Sequence, residues 1–168
     1  MKVALVHDYL TQDGGAERVL RALQDLFPDA PTFVLFHHPS TPELAFSDKD
    51  ISTTFLQYMP FVKKHYQWYL PLMSYATERH NIEDFDVVIS STSAFAKGII
   101  TSPNTLHISY CHTTTRYLWT DTHSYIKELN YPWIVKSLLP PMISRLRLWD
   151  QMSAQRVDHF IANSETVK

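Results

Sequence analysis

The feature that most constrains this chain is a pair of adjacent glycines between a predicted strand and a predicted helix. Gly14 and Gly15 are two of only 3 glycines in 168 residues. They follow the apolar run at residues 2–7 and precede a helical pattern at residues 16–23. Glycine tolerates positive φ and lets another group approach the backbone, and a helix that begins here directs its unpaired N–H groups and positive dipole end beyond the strand. This arrangement is typical of an anion site, most often one for phosphate.

The glycine pair alone leaves two interpretations open, because a tight strand-to-helix connection without a ligand has the same pattern. A nicotinamide-binding fingerprint fits poorly. The sequence has no G-x-G-x-x-G, and the second predicted strand is followed by His37 and His38 rather than by an acidic residue that could hold a ribose. A P-loop does not fit either, because the glycines are not followed by Gly-Lys-Ser or Gly-Lys-Thr.

Length and composition limit the class of protein. With 168 residues and 45% apolar content, the chain can bury one core, which predicts a single domain. The net charge of -2 argues against nucleic-acid binding. A single cysteine, Cys111, excludes an internal disulfide and favours a reducing, cytoplasmic location. No stretch reaches about 18 uncharged apolar residues, so no membrane span is predicted.

Short apolar runs rich in β-branched and aromatic residues predict the strands of a sheet. Most runs are separated by segments long enough for crossover helices, which predicts a parallel sheet of about six strands covered on both faces. The clearest of these helices is expected at residues 141–157, with Pro140-Pro141 as its start. The runs lie at residues 2–7, 32–36, 86–90, 106–111 and 158–162.

Residues 55–80 differ from the rest of the chain because aromatic side chains crowd around two lysines and Pro71. We expect one or two bent helices there, with a break at the proline. The part at residues 55–75 is core in one interpretation. In the other it is a surface at a membrane interface, where tyrosine, tryptophan and lysine are favoured.

A second polar motif follows the strand predicted at residues 106–111. His112 lies at its carboxyl end, where open α/β sheets hold their ligands, and Arg116 follows four residues later. The histidine can donate to a sugar hydroxyl or a phosphate, and the arginine can offer a planar fork to an anion. The alternative is a buried histidine satisfied by backbone, with the arginine on a solvated turn. No His or Cys spacing typical of a metal site is present, and Cys111 is expected to be a packing residue.

The end of the sequence predicts the beginning of another element. Asn163 or Ser164 is expected to cap a helix after the last strand, yet too few residues follow to sustain one. We therefore expect the natural polypeptide to continue into a second domain.

Three blocks, taken together, resemble the amino-terminal half of a family 4 glycosyltransferase. They are residues 7–20, which contain the glycine pair, residues 110–119, which contain His112, and residues 160–164. Their order and spacing are more specific than any one block. The similarity covers the whole chain and is closest to bacterial mannosyltransferases of O-antigen and exopolysaccharide assembly.

The resemblance implies a GT-B architecture, in which two Rossmann-like domains face each other across a cleft. Residues 1–168 would form the amino-terminal, acceptor-side domain, without the nucleotide-sugar domain. It also implies a retaining, metal-independent hexosyltransferase that needs no cofactor. GDP-mannose is the leading donor, and the acceptor would be a lipid-linked oligosaccharide or a polysaccharide.

Carried over to this sequence, the resemblance assigns roles to four residues. Gly14 and Gly15 would approach the donor diphosphate, His112 would contact the transferred sugar at the catalytic centre, and Arg116 would bind the acceptor or a phosphate. We expect the chain alone to be inactive, and to lie in the cytoplasm or at the inner face of the cell membrane, with residues 55–75 as the contact. The alternative is a non-catalytic module that binds carbohydrate or nucleotide.

Overall fold

The computed structural model describes residues 1–38, 46, 50–120, 122 and 133–168. Short strands among these residues form one parallel sheet. The strands are β1 Val3–His7, β2 Thr32–Val34, β3 Ile51–Thr53, β4 Val87–Thr92, β5 Leu106–Cys111 and β6 His159–Ala162. Their spatial order is β3-β2-β1-β4-β5-β6, and every neighbouring pair is parallel. The predicted Rossmann-like α/β fold is confirmed.

The strand order places a topological switch point between β1 and β4. The chain first builds the sheet outward from β1 to β3, then returns to the other side of β1 and builds outward again to β6. The connections on either side of the switch point therefore diverge and leave a crevice. In open α/β sheets, ligands bind in this crevice, outside the carboxyl ends of the strands.

Helices cover both faces of the sheet. Leu5 of β1 packs with Leu20 of the first helix on one face, whereas its neighbours Ala4 and Val6 pack with Ile99 on the other, as the alternation of side chains along a strand requires. The helices are α1 Gly15–Leu26, α2 Val62–His65, α3 Leu70–Glu78, α4 Arg116–Trp119 and α5 Trp133–Ala154, with 3-10 turns at Phe55–Tyr58, Tyr66–Tyr69 and Ala96–Gly98.

The strands lie where the apolar runs predict them, with differences at their ends. β5 matches its predicted bounds, whereas β2 is two residues shorter than expected and β4 extends two residues further, into Ser91 and Thr92. β3 was not predicted, because Ile51–Thr53 contains a single apolar residue and lies in no apolar run.

The helix α5 corrects a prediction. Pro140 and Pro141 lie inside it rather than at its start, and it ends at Ala154 rather than at residue 157. An interior proline removes a helix hydrogen bond and lowers the stability of the helix by about 3 kcal/mol. Leu139 and Met142, on either side of the pair, both pack against the core, and this burial holds the helix together across the prolines.

Residues 55–78 form the bent helical segment that the sequence predicts. A 3-10 turn, α2, a second 3-10 turn and α3 follow one another, and Pro71 lies in the first turn of α3, where its missing N–H has no intrahelical acceptor. At the other end of the chain, residues 163–168 form turns in which the Ser164 carbonyl accepts from the N–H groups of Val167 and Lys168. No helix among the described residues is both long enough and apolar enough to span a bilayer.

The third glycine makes a stability prediction. A Cβ on Gly98 would overlap the indole of Trp149, which is fixed by a 2.8 Å hydrogen bond from Nε1 to Glu78. We expect Gly98→Ala to lower the free energy of unfolding by about 1–3 kcal/mol, because overpacking a fixed neighbour has this effect. Gly15→Ala is the matched control, since no atom lies within 4 Å of its new Cβ. Denaturant unfolding measures both, and equal stability of the two variants would contradict the prediction.

Candidate functional site

Side chains from four elements meet at the carboxyl edge of the sheet, beside the switch point. His7 ends β1, Gly14 and Glu17 come from the turn and first turn of α1, Ser91 lies near the end of β4, and His112 directly follows β5. We refer to these five residues as the switch-point cluster. The glycine pair and His112 thus lie at the same edge of the sheet, as their positions after predicted strands indicate.

One buried hydroxyl connects the two histidines of the cluster. Ser91 Oγ lies 2.8 Å from Nε2 of His112 and 3.2 Å from Nδ1 of His7. Nδ1 of His7 also lies 2.9 Å from the Ser91 carbonyl oxygen. The two imidazole rings are 6.5 Å apart between centroids and meet edge to face. His7, Ser91 and His112 therefore form a continuous hydrogen-bonded chain.

Glu17 connects this chain to the start of α1. Its Oε2 accepts from the N–H of Gly14 at 2.9 Å, and its Oε1 lies 4.0 Å from Nε2 of His7. Burial alone would raise the pKa of the Glu17 carboxyl, but the His7 side chain and the backbone N–H groups of Glu17 and Gly14 outweigh it and lower the pKa. The side chain is therefore a carboxylate at neutral pH, although the residue is only 3% exposed.

His112 is half-buried and neutral at pH 7. Burial, followed by the proximity of His7, lowers its pKa below the ordinary value, and the carboxylates of Asp8 and Glu17 offset this only in part. A neutral imidazole has one N–H donor and one acceptor nitrogen. His112 can therefore bind a hydroxyl or a phosphate oxygen, but it contributes no positive charge.

The two glycines of the turn differ in what surrounds them. No described glycine has positive φ, so the turn does not use that freedom. A Cβ on Gly14 would come within 3.0 Å of Glu17 Oε2, and its N–H already donates to that carboxylate. Gly15 has open space where a Cβ would be. Of the pair, Gly15 is the one that leaves room for a ligand.

A family model described as Glycosyltransferase Family 4 matches residues 13–168, nearly the whole chain. The chain belongs to glycosyltransferase family 4. This confirms the family that the three sequence blocks resemble. No curated protein and no solved structure matches the chain. A glycosyltransferase domain binds a sugar donor and an acceptor, and the carboxyl edge at the switch point is where this fold binds ligands.

Sequence patterns missed several polar residues of the switch-point cluster. His7, Glu17 and Ser91 were not predicted to have roles, although they surround the residues that were. Ser91 lies in the polar run that ends β4, and polar residues in the last positions of a buried strand are the signal that could have indicated it. Arg116 is the first residue of α4, but its side chain lies outside the described residues.

A buried ion pair holds the segment that follows His112. Nζ of Lys97 lies 2.6 Å from Oδ1 of Asp150 on α5, and the same carboxylate accepts from Nε1 of Trp119 at 2.8 Å and from Oγ1 of Thr115 at 3.2 Å. Asp150 therefore fixes both ends of the segment that contains Arg116. A cavity of about 610 Å³ lies beside it, lined by Lys97, Cys111, Trp119 and several threonine hydroxyls.

Cys111 lines this cavity and is not part of the switch-point cluster. Its thiol donates to the carbonyl of Thr113 at 3.3 Å, and burial, partly offset by Lys97, raises its pKa above the ordinary value. A thiol with a raised pKa is a poor nucleophile, which agrees with a packing role. Among the described residues, no three His, Cys, Asp or Glu side chains are grouped as a metal site requires.

The Asp8 carboxylate holds the backbone that follows β4, next to the switch-point cluster. Its carboxylate accepts from the N–H groups of four successive residues after β4 at 2.7–3.0 Å, and from the Thr92 hydroxyl at 3.2 Å. The four are Ser93, Ala94, Phe95 and Ala96. Asp8 itself is 6% exposed, so these hydrogen bonds replace water as its solvation.

We expect Asp8→Asn to lower the free energy of unfolding by at least about 2 kcal/mol, because an amide cannot accept all of these hydrogen bonds and its NH₂ would face other donors. Denaturant unfolding at constant m-value measures the change. The matched control is Asp13→Asn, which removes a partly exposed ion pair with Arg21 and is expected to cost under about 1 kcal/mol. Equal losses in the two variants would contradict the role of Asp8.

Proposed function

We propose that this chain is the acceptor-side domain of a retaining, metal-independent hexosyltransferase. Mannose carried by GDP is the leading donor, and a lipid-linked oligosaccharide or polysaccharide is the acceptor. The observation that carries the proposal is the position of a neutral, half-buried His112 at the switch point, beside the turn that begins α1. Membership of glycosyltransferase family 4 supports the reaction class.

The donor diphosphate is assigned to the start of α1. The first N–H groups of a helix lack intrahelical partners and lie at the positive end of its dipole, so they favour phosphate oxygens. Gly14 is already hydrogen-bonded to Glu17, whereas Gly15 is exposed and has space for a close approach. We therefore assign the contact with the diphosphate to Gly15 first. A helix end compensates part of the negative charge that develops on a leaving nucleoside diphosphate, and it does so without a metal ion.

His112 is assigned to the transferred sugar. It lies two strands from the start of α1 in the sheet order. The hydrogen bonds of Ser91 with His112 and His7, together with the 4.0 Å contact between His7 and Glu17, join the two places. A sugar joined to a diphosphate at α1 would thus extend towards His112. The acceptor is assigned to the 610 Å³ cavity beside α4, because its threonine hydroxyls and Trp119 suit a carbohydrate, which needs hydrogen bonds and a flat apolar surface.

This function predicts a specific effect of His112→Ala. In the full-length protein, we expect kcat to fall by about a hundredfold, which is typical when one hydrogen-bond donor at a reacting centre is removed. The free energy of unfolding should fall by less than about 2 kcal/mol, since the ring is only partly buried. Steady-state kinetics with GDP-mannose and UDP-glucose, together with a melting curve, measure both effects.

Two outcomes would contradict this assignment. A large loss of melting temperature with normal turnover would make His112 a structural residue. Tight binding of the nucleotide sugar without any transfer by the full-length protein would favour the alternative of a non-catalytic carbohydrate- or nucleotide-binding module.

A membrane surface is the proposed second partner. The segment at residues 55–75 contributes some side chains to the core and exposes others, and the membrane proposal concerns the exposed ones. Phe61 is 68% exposed, Trp68 51% and Tyr75 53%, and with Leu72 they form what we term the aromatic face. These residues recur every three to seven positions along the helical segment from α2 to α3.

The charge around the aromatic face suits an anionic bilayer. Residues 51–77 contain no Asp or Glu, although the whole chain has 17. Lys64 is exposed beside the face, and the Arg79 guanidinium lies 5.7 Å from the Tyr75 ring centroid. Exposed aromatic rings combined with nearby cations are typical of surfaces that rest in the lipid headgroup region. This supports binding at the face of a membrane that holds a lipid-linked acceptor.

We expect the double variant Phe61→Asn, Trp68→Gln to bind vesicles of phosphatidylglycerol and phosphatidylcholine at least about tenfold more weakly, because two exposed aromatic side chains are removed. Asn suits position 61, where φ is 59°. Leu26→Gln is the control, because Leu26 is 70% exposed and lies at the end of α1, outside the face. Sedimentation measures binding. Unchanged sedimentation of the double variant would contradict the membrane contact.

A further inference from the structure

Ser91 and His7 are buried next to His112, and the proposed function assigns them no contact with the donor or the acceptor. We propose that Ser91 and His7 are positioning residues that hold His112 as the neutral tautomer with its proton on Nδ1. The partly exposed ring then presents an N–H donor to a ligand above the carboxyl edge of the sheet. The consequence for sugar transfer rests on the proposed function, whereas the tautomer itself follows from the hydrogen bonds alone.

The first step concerns the proton on His7. A carbonyl oxygen can only accept a hydrogen bond, so the 2.9 Å contact between the Ser91 carbonyl and Nδ1 of His7 requires a proton on Nδ1. The same N–H lies 3.2 Å from the Ser91 hydroxyl oxygen. His7 therefore approaches Ser91 as a donor at both oxygens.

The second step concerns the proton of the Ser91 hydroxyl. Since His7 supplies a donor on one side, the hydroxyl proton must point to an acceptor elsewhere. Among the residues that the structure describes, Nε2 of His112 at 2.8 Å is the acceptor within reach. Ser91 donates and Nε2 accepts, and a neutral imidazole whose Nε2 accepts carries its proton on Nδ1.

The third step is that the strands fix this geometry. His7 and Ser91 are register partners on the adjacent strands β1 and β4, and both are buried. The backbone N–H of His112 donates to the Thr92 carbonyl at 2.9 Å, so β4 holds the main chain of His112 as well as its ring. Ser91 is fully buried, so bulk solvent offers its hydroxyl proton no other acceptor.

The chemical consequence is that His112 recognises oxygen atoms with lone pairs. No described residue accepts from Nδ1 of His112, which leaves this N–H for a ligand. It can donate to a sugar hydroxyl oxygen or to a phosphate oxygen. The opposite tautomer would place a nitrogen lone pair there, which repels a phosphate oxygen and can only accept from a sugar hydroxyl.

The test uses a natural matched pair on β4. Ser90 and Ser91 are adjacent and buried, and each hydroxyl bonds Nε2 of one histidine, His107 at 2.9 Å and His112 at 2.8 Å. Ser90→Ala and Ser91→Ala therefore remove the same kind of hydrogen bond on opposite faces of the sheet. Long-range ¹⁵N–¹H correlation spectra of histidine-labelled protein at pH 7 report which ring nitrogen is protonated.

We expect His112 to be protonated on Nδ1 in the wild type and in Ser90→Ala, and to become a mixture of tautomers in Ser91→Ala. In the full-length protein, kcat should fall by about tenfold in Ser91→Ala with little change in KM, because orienting a catalytic histidine affects turnover. Ser91→Thr, which keeps the hydroxyl, should restore the Nδ1-protonated form and most of kcat.

A wild-type spectrum with the proton of His112 on Nε2 would overturn the inference, whatever the kinetics show. Equal loss of kcat in Ser90→Ala and Ser91→Ala would also overturn it, since both would then act through stability. Normal turnover of His112→Ala together with an Nδ1-protonated wild type would support the tautomer and reject the proposed function, so the two failures are distinguishable.

Discussion

The site depends first on the buried carboxylate of Asp8. It follows directly after β1 and accepts hydrogen bonds from the backbone after β4, so it joins the ends of the two strands on either side of the switch point. Four consecutive N–H groups converging on one point would otherwise form an anion site. The protein fills that site with its own side chain. The position of Ser91, and through it that of His112, depends on this closure.

A serine hydroxyl forms a hydrogen bond with Nε2 of a histidine on each face of the sheet, but the two histidines differ in exposure. Ser90 and His107 are fully buried, and burial, with Asp158 raising and Arg156 lowering, brings the pKa of His107 to about 4. The pKa of His112 is lowered in the same direction, but His112 lies at the edge, where the ring remains partly accessible. Both rings are neutral at pH 7. The distance from the carboxyl edge, and not the hydrogen bond, separates a structural histidine from one that can meet a ligand.

Much of the fold could be predicted because apolar runs and crossover lengths are local properties. The parallel sheet could be predicted because β1, β4 and β5 are apolar runs separated by segments long enough for crossovers. The shared edge of Gly14-Gly15 and His112 could be predicted because both motifs follow predicted strands. The start of α5 could not be predicted, because Pro140-Pro141 is a local signal for a helix start that tertiary packing overrides. The role proposed for Ser91 could not be predicted either, because nothing in the sequence distinguishes this serine until its register with His7 is known.

The contacts at the turn distinguish Gly14 from Gly15, although the sequence alone suggests the same role for both. A Cβ on Gly14 would crowd the Glu17 carboxylate, and the Gly14 N–H donates to that carboxylate. Its role is therefore internal: it keeps Glu17 beside His7. Gly15 has neither constraint, so nothing in the described part of the protein explains why a larger residue is missing there. The proposed diphosphate contact is therefore assigned to Gly15, because the backbone at the first residue of α1 is open to a close approach there and not at Gly14.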